Sequence, residues 1–155
     1  GLPDKANPGA WSELYEDKIA RAKIEADRYE KIAEGIRKAK AEALRNRYTL
    51  QVYEQTNNLQ NYPVRLILAL NDYDTAKDET ARRDALETVA EVCDYFDVMR
   101  ADLESVYSET RFMQQPEGFI SDLNHHNHLT SKTNNSDWWY YYEIPMIRKV
   151  RAWMK

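Results

Sequence analysis

Apolar residues recur along this chain at alternating steps of four and three, the spacing that lines one face of a helix. The first stripe runs Tyr15, Ile19, Ala22, Ala26, Tyr29, Ala33 and Ile36, and resumes at Ala43 after Lys40 interrupts it. It predicts a helix from about Pro8 to Arg45, with a heptad-like seam of the kind that packs helices at small crossing angles. Pro8 suits a first turn, where a missing N–H costs nothing. Gly35 weakens the interior by about 1 kcal/mol. A second stripe, Tyr48, Val52, Gln55, Leu59, Tyr62, Leu66, Ala69 and Tyr73, predicts a helix from about Asn46 to Tyr73. Pro63 lies inside it in unbroken phase, which predicts one helix kinked near Asn58 to Tyr62. Nothing between Ala43 and Tyr48 has to break a helix, so the first two segments can form one rod or a hairpin.

The stretch "NDYDTAKDETARRD" is polar and reads as a turn. A third helix is expected from about Asp78 to Phe112, with a seam of Leu86, Val89, Cys93, Phe96, Arg100, Leu103, Tyr107 and Thr110, and Met99 beside it. About 24 residues without period follow, from Met113 to Ser136; a connection that long has a function or is disordered. A short last helix is expected to open at Ser136 or Asp137 as cap. Its expected apolar face is Trp139, Tyr142, Met146, Val150 and Trp153, with Pro145 inside it. Strand and hairpin signals are missing from a chain with four Gly and five Pro. The expected fold is all-α: an antiparallel bundle of three long helices plus a short C-terminal helix, with a long ordered loop before the last helix.

Composition narrows the picture. The chain has 155 residues, enough for one sizeable core, and a net charge of -4 from 22 basic and 26 acidic side chains. That balance gives no electrostatic reason to expect nucleic acid or an anionic membrane. A single cysteine, Cys93, excludes an internal disulfide and a thiolate-rich metal site. No run approaches the length of a membrane span, and no signal-peptide pattern is present. The chain opens on Gly1 without Met, which suggests a tag-cleavage scar, so residues 1–9 read as a start or linker segment. Residues 10–155 read as one helical domain, expected to be the C-terminal part of a longer chain.

Candidate chemistry concentrates in "SDLNHHNHLTSKTNNSDWWYYYE" (residues 121–143). His125, His126 and His128, flanked by Asp122 and Asn124, carry ligand chemistry for zinc, copper or nickel. Their spacing matches no strong zinc signature, and adjacent histidines in extended chain point to opposite sides. A polar loop whose side chains satisfy its own backbone is the favoured reading, with no metal and no cofactor. Trp138, Trp139, Tyr140, Tyr141 and Tyr142 cannot all face one core, since helical residues turn by roughly 100° each. They are expected to pack under the long loop, to meet another domain, or to stack on a sugar ring. The many carboxylates follow helical spacing and read as solvated faces with i,i+4 pairs. Arg100, on the seam of the third helix, is the one charge that looks misplaced, and it is expected to pair with a buried-side carboxylate or to close the bundle end; Cys93 reads as an inert small hydrophobe. No catalytic triad order, phosphate loop or nucleotide fingerprint is present.

Taken together, "RNRYTLQVYEQTNNLQNYPVRLILALNDYD", "VYSETRF" and "NHHNHLTSKTNNSDWWYYYE" resemble the helical C-terminal region of large multidomain Bacteroidetes glycoside hydrolases. The resemblance is nearest to glycoside hydrolase family 20, the β-N-acetylhexosaminidases, and would cover nearly the whole chain. It implies a (β/α)8 catalytic barrel upstream, where an Asp-Glu pair assists attack by the substrate's own acetamido group. This chain departs from that pattern. Its Asp78-Glu79 pair lies in a polar turn before a helix, so no catalytic residue carries over. The resemblance therefore implies a non-catalytic accessory domain of an extracytoplasmic glycosidase acting on amino-sugar glycans. Its expected partners are the upstream catalytic domain and, at the substrate rim, a glycan. Asp122, Asn124, His125, His126, His128, Trp138, Trp139, Tyr140 and Tyr141 are the ligand or interface candidates, with no catalytic and no metal residue. The alternative is a stand-alone helical module for protein interaction or oligomerisation through an exposed aromatic face.

Overall fold

The computed structural model describes residues 1–110, 140 and 142–155. Within them lie five helices and no strand: α1 (Ala10–Leu14), α2 (Glu16–Glu42), α3 (Arg47–Asp74), α4 (Glu79–Ser108) and α5 (Glu143–Met154). α2, α3 and α4 form the antiparallel bundle that the seams predict, and the short α5 packs back along α4. The long-loop segment expected before the last helix lies outside the described residues.

The rod-or-hairpin alternative resolves as a hairpin. Ala43 turns to extended backbone at φ -70° and ψ 120°, and Asn46 takes the left-handed conformation at φ 59°. Asparagine is among the few non-glycine residues that adopt it readily. The reversal is fastened by Lys40 Nζ on Glu54 Oε2 at 2.6 Å, and farther down by Asn57 Nδ2 donating to the Tyr29 carbonyl at 3.3 Å. The first predicted helix is also corrected. It divides at Tyr15, whose backbone leaves helical geometry at φ -112° and ψ 22°. Its N–H still donates to the Trp11 carbonyl and its carbonyl accepts from Ile19, so the break is a bend between two nearly continuous helices. The bend stacks the Tyr15 ring on Trp11, with centroids 5.2 Å apart.

α3 runs unbroken through Pro63, as the continuous seam requires. It is the central helix, packed on α2 along one side and α4 along another. That position explains why it buries more than its seam. Tyr62, Leu66, Ala69 and Tyr73 are buried as expected, but so are Leu70, Asn57, Asn61 and Asp74. α4 likewise buries Ala85, Val92 and Val106 beside the predicted Val89, Cys93, Phe96 and Leu103. Asp78 caps α4, its carboxylate accepting from the Ala81 N–H at 2.8 Å.

The last helix is corrected in both start and face. It opens at Glu143, not at Ser136 or Asp137. Pro145 therefore falls in the first turn, where its missing N–H has no intrahelical carbonyl to bond. The buried face is Ile147 and Val150, with Ile144, Trp153 and Met154 against the core, while Tyr142 and Met146 are open to solvent at 77% and 52%. Arg151 locks this orientation, reaching the Cys93 carbonyl and the carboxylates of Asp94 and Asp97 at 2.7–3.1 Å.

Residues 1–9 carry no helix but are held to the bundle end. Pro3 is buried and Leu2 packs on the core. The Trp11 indole N–H donates to the Gly1 carbonyl at 2.8 Å, and the Trp153 indole N–H donates to the Pro3 carbonyl at 2.9 Å. Gly9, at φ 87°, turns this strap into α1, a backbone angle that glycine adopts without strain. Trp153→Phe keeps the ring against Tyr73 but removes the indole donor. It is expected to lower stability by about 1 kcal/mol in urea titration, whereas an unchanged midpoint would show the strap to be energetically idle.

Candidate functional site: two apolar concavities

Of the nine ligand or interface candidates, only Tyr140 is described, and it is fully buried. Its ring meets Phe96 edge-on at 6.1 Å and lies under the Arg100 guanidinium, 5.0 Å away. Burial pushes its phenol up to about 12. Arg100 also pairs with Glu104 at 2.9 Å, the carboxylate partner its seam position called for. Asp122, Asn124, His125, His126, His128, Trp138, Trp139 and Tyr141 lie outside the described residues. Among the described residues no three His, Cys, Asp or Glu side chains gather as a metal site. No helix among them is long and apolar enough to cross a membrane. Cys93 is completely buried, and desolvation raises its thiol.

The described surface instead offers two concavities. The first is an open groove between α2 and α3, about 240 Å³, formed by Ile32, Ile36, Tyr53, Thr56, Asn57 and Gln60. Its open walls are almost wholly apolar. Tyr53, Thr56, Asn57 and Gln60 stand at spacings of three, four and seven, which puts them on one face of α3. That face carries no charge. The two charges of the helix interior point elsewhere: Glu54 is bound to Lys40, and Arg65 lies over Tyr95 at 4.7 Å. Of the lining residues, Ile32 (40% exposed) and Tyr53 (58%) are open to solvent, and Ile24 (71%) is exposed two turns further along α2, beyond Arg28. Sequence reasoning passed over them because all three lie off the seams. The legible signal was two isoleucines on the outer side of an otherwise charged α2, facing an α3 stripe without charge.

The second concavity lies on the C-terminal half of α3 and is a half-open pocket of about 240 Å³. The bend at Tyr15 creates it, by splaying α1 from α2 over the C-terminal half of α3. Trp11 and Tyr15 form one wall, Pro63, Leu66, Ile67 and Leu70 the floor, Leu2 of the strap a side, and Met146 of α5 the lip. Tyr62 reaches its deep edge, and burial raises that phenol well above the usual tyrosine value, with Glu143 adding to the shift. The polar atoms collect at the mouth. The Gly1 amino group donates to the Tyr15 hydroxyl at 3.0 Å, and the Lys18 ammonium stands 5.1 Å from the Tyr15 ring centroid. Periodicity could not disclose this pocket, because it depends on a strap and a helix bend that no seam encodes.

The groove can receive a complementary surface and the pocket can enclose a small apolar body; neither brings an acid and a base together. No family model, curated protein or solved structure matches this chain.

Proposed function

We propose that this chain is a non-catalytic accessory domain that docks on the catalytic domain of a glycoside hydrolase acting on amino-sugar glycans. The supporting observation is the charge-free stripe of α3, Tyr53, Thr56, Asn57 and Gln60, which with Ile32 and Ile36 of α2 forms an apolar groove. Interface cores are depleted in charge and enriched in aromatic residues, and this face has both traits on a surface otherwise dense in Lys and Glu. The glycosidase part of the reading rests on the sequence resemblance described above. The pinned strap is compatible with it. A domain joined at Gly1 would start beside the bundle rather than on a free tether.

The first test is the coding sequence upstream of Leu2. A (β/α)8 barrel carrying an Asp-Glu pair supports the reading, and any other upstream chain sinks it. Where a barrel is present, Ile32→Glu combined with Tyr53→Glu should split the joint thermal transition of the two domains into two. It should also reduce hydrolysis of chito-oligosaccharides, while leaving the circular dichroism of the helical chain unchanged. A single transition in the double variant would refute docking through this face.

The second reading, a stand-alone oligomerisation module, draws on the same exposed residues. Sedimentation of the isolated chain separates the two. A dimer abolished by Ile32→Glu favours self-association, and a monomer with a free face favours the domain partner.

A further inference from the structure

Going beyond the docking face, we propose that the pocket between α1, α3 and α5 binds a small carboxylate with an aromatic or branched aliphatic tail. Three features carry this. The pocket is half-open and its volume is about 240 Å³. An apolar cavity of about 150 Å³ already accepts benzene, so this one takes a phenyl ring and two or three further carbons. The walls are rings and aliphatic side chains held by the bundle itself, with Trp11 and Leu66 buried in the core. The third feature is the charge at the mouth. Lys18 lines the opening, and among the described residues no carboxylate lies within ion-pair distance of it. The Tyr15 hydroxyl beside it can donate a second hydrogen bond to an anion.

An apolar floor with a cation and a hydroxyl on one rim orients an amphiphile in a single sense: tail inward, carboxylate at Lys18. A neutral or cationic head would place no favourable charge there. A sugar fits poorly, since its hydroxyls would face Leu66, Ile67 and Leu70 without partners. Met146, unbranched and half exposed at the lip, can swing to admit the ring.

The probe is 3-phenylpropanoate, with 3-phenylpropan-1-ol and 3-phenylpropylamine as neutral and cationic counterparts, followed by ligand-observed NMR on the intact chain. A ligand of this size is expected to bind with a dissociation constant on the order of 1 mM. The alcohol should bind about fivefold more weakly, the scale of one exposed charge contact, and the amine more weakly still. Lys18→Glu should remove the preference for the carboxylate over the amine. Met146→Trp, which fills the mouth from an exposed position, should abolish binding of all three while the thermal midpoint stays put. Equal affinities for the three probes would overturn the carboxylate assignment. Absence of saturation for any of them, or binding indifferent to Met146→Trp, would overturn the site.

Discussion

Phe96→Ala should lower the unfolding free energy by about 3–5 kcal/mol, the cost of emptying a large aromatic site in a packed core. Phe96 is 1% exposed and packs between α3 and the residue Tyr140 ahead of α5. Its ring lies 5.0 Å from Tyr62 of α3 and 6.1 Å from Tyr140, and Val92, Cys93 and Met99 of its own helix are buried around it. The neighbours cannot collapse into the space, because Tyr62 and Tyr140 are themselves rigid rings on opposite walls. Since whole domains are stable by only about 5–15 kcal/mol, the loss consumes a large share of what holds the bundle together. Urea unfolding followed by circular dichroism gives the number. A cost below about 1 kcal/mol, typical of a surface change, would mean that this ring cluster is not the centre of the core. Phe96→Leu, which refills much of the volume, should recover at least half of the loss.

Asp74→Ala is expected to cost about 2–3 kcal/mol, the range for a hydrogen bond to a charged group together with the buried donor it leaves behind. Asp74 ends α3 and is 2% exposed. Its Oδ2 accepts from the backbone N–H of Ser12 at 2.8 Å, across 62 residues. A helix leaves its first N–H groups without internal partners, and a local Ser or Asp usually fills that need. α1 has Gly9 at its cap position and no side-chain bond there. The acceptor therefore comes from the far end of another helix, and the same bond that caps α1 also docks it. Asp74→Asn retains an oxygen acceptor and should lose less than half as much. Equal losses for Ala and Asn would assign the effect to the charge and not to the bond to Ser12.

The sequence carried the long helices well and their ends poorly, for identifiable reasons. The heptad steps through Tyr62, Leu66, Ala69 and Tyr73 and through Val89, Cys93, Phe96 and Leu103 were sufficient for α3 and α4, because a buried face has to repeat with the helical period. They did not anticipate Asn57, Asn61 or Asp74, which are polar residues buried because α3 has neighbours on two sides. The break at Tyr15 left no breaker residue to read; it is accompanied by the tilted Trp11–Tyr15 ring contact and by Asp74 holding Ser12. Half of the face expected for α5 holds: Val150 and Trp153 pack on the core, whereas Tyr142 and Met146 are exposed and Ile147 turns inward. The capping residues Ser136 and Asp137 suggested an earlier start, whereas the helix opens at Glu143 and is tied down by Arg151 on Asp94 and Asp97.

The candidate surfaces divide along the same line. Tyr53, Thr56 and Gln60 form a stripe that spacing alone can disclose, once attention shifts from where apolar residues gather to where charges are missing. The pocket under Tyr15 could not be read in that way. Its walls come from residues 1–2, 11–18, 62–70 and 146, and only tertiary contact brings them together.

The bond from Trp153 to Pro3 spans 150 residues and sets the strap and the last helix side by side. A helical unit whose first and last segments meet is topologically close to a ring. It can be spliced into a surface loop of a host protein, or its ends joined by a short bridge and new ones opened elsewhere, without stretching the fold. The turn at residues 43–46, largely exposed and flanked by the Lys40–Glu54 pair, is the natural place to cut such a ring.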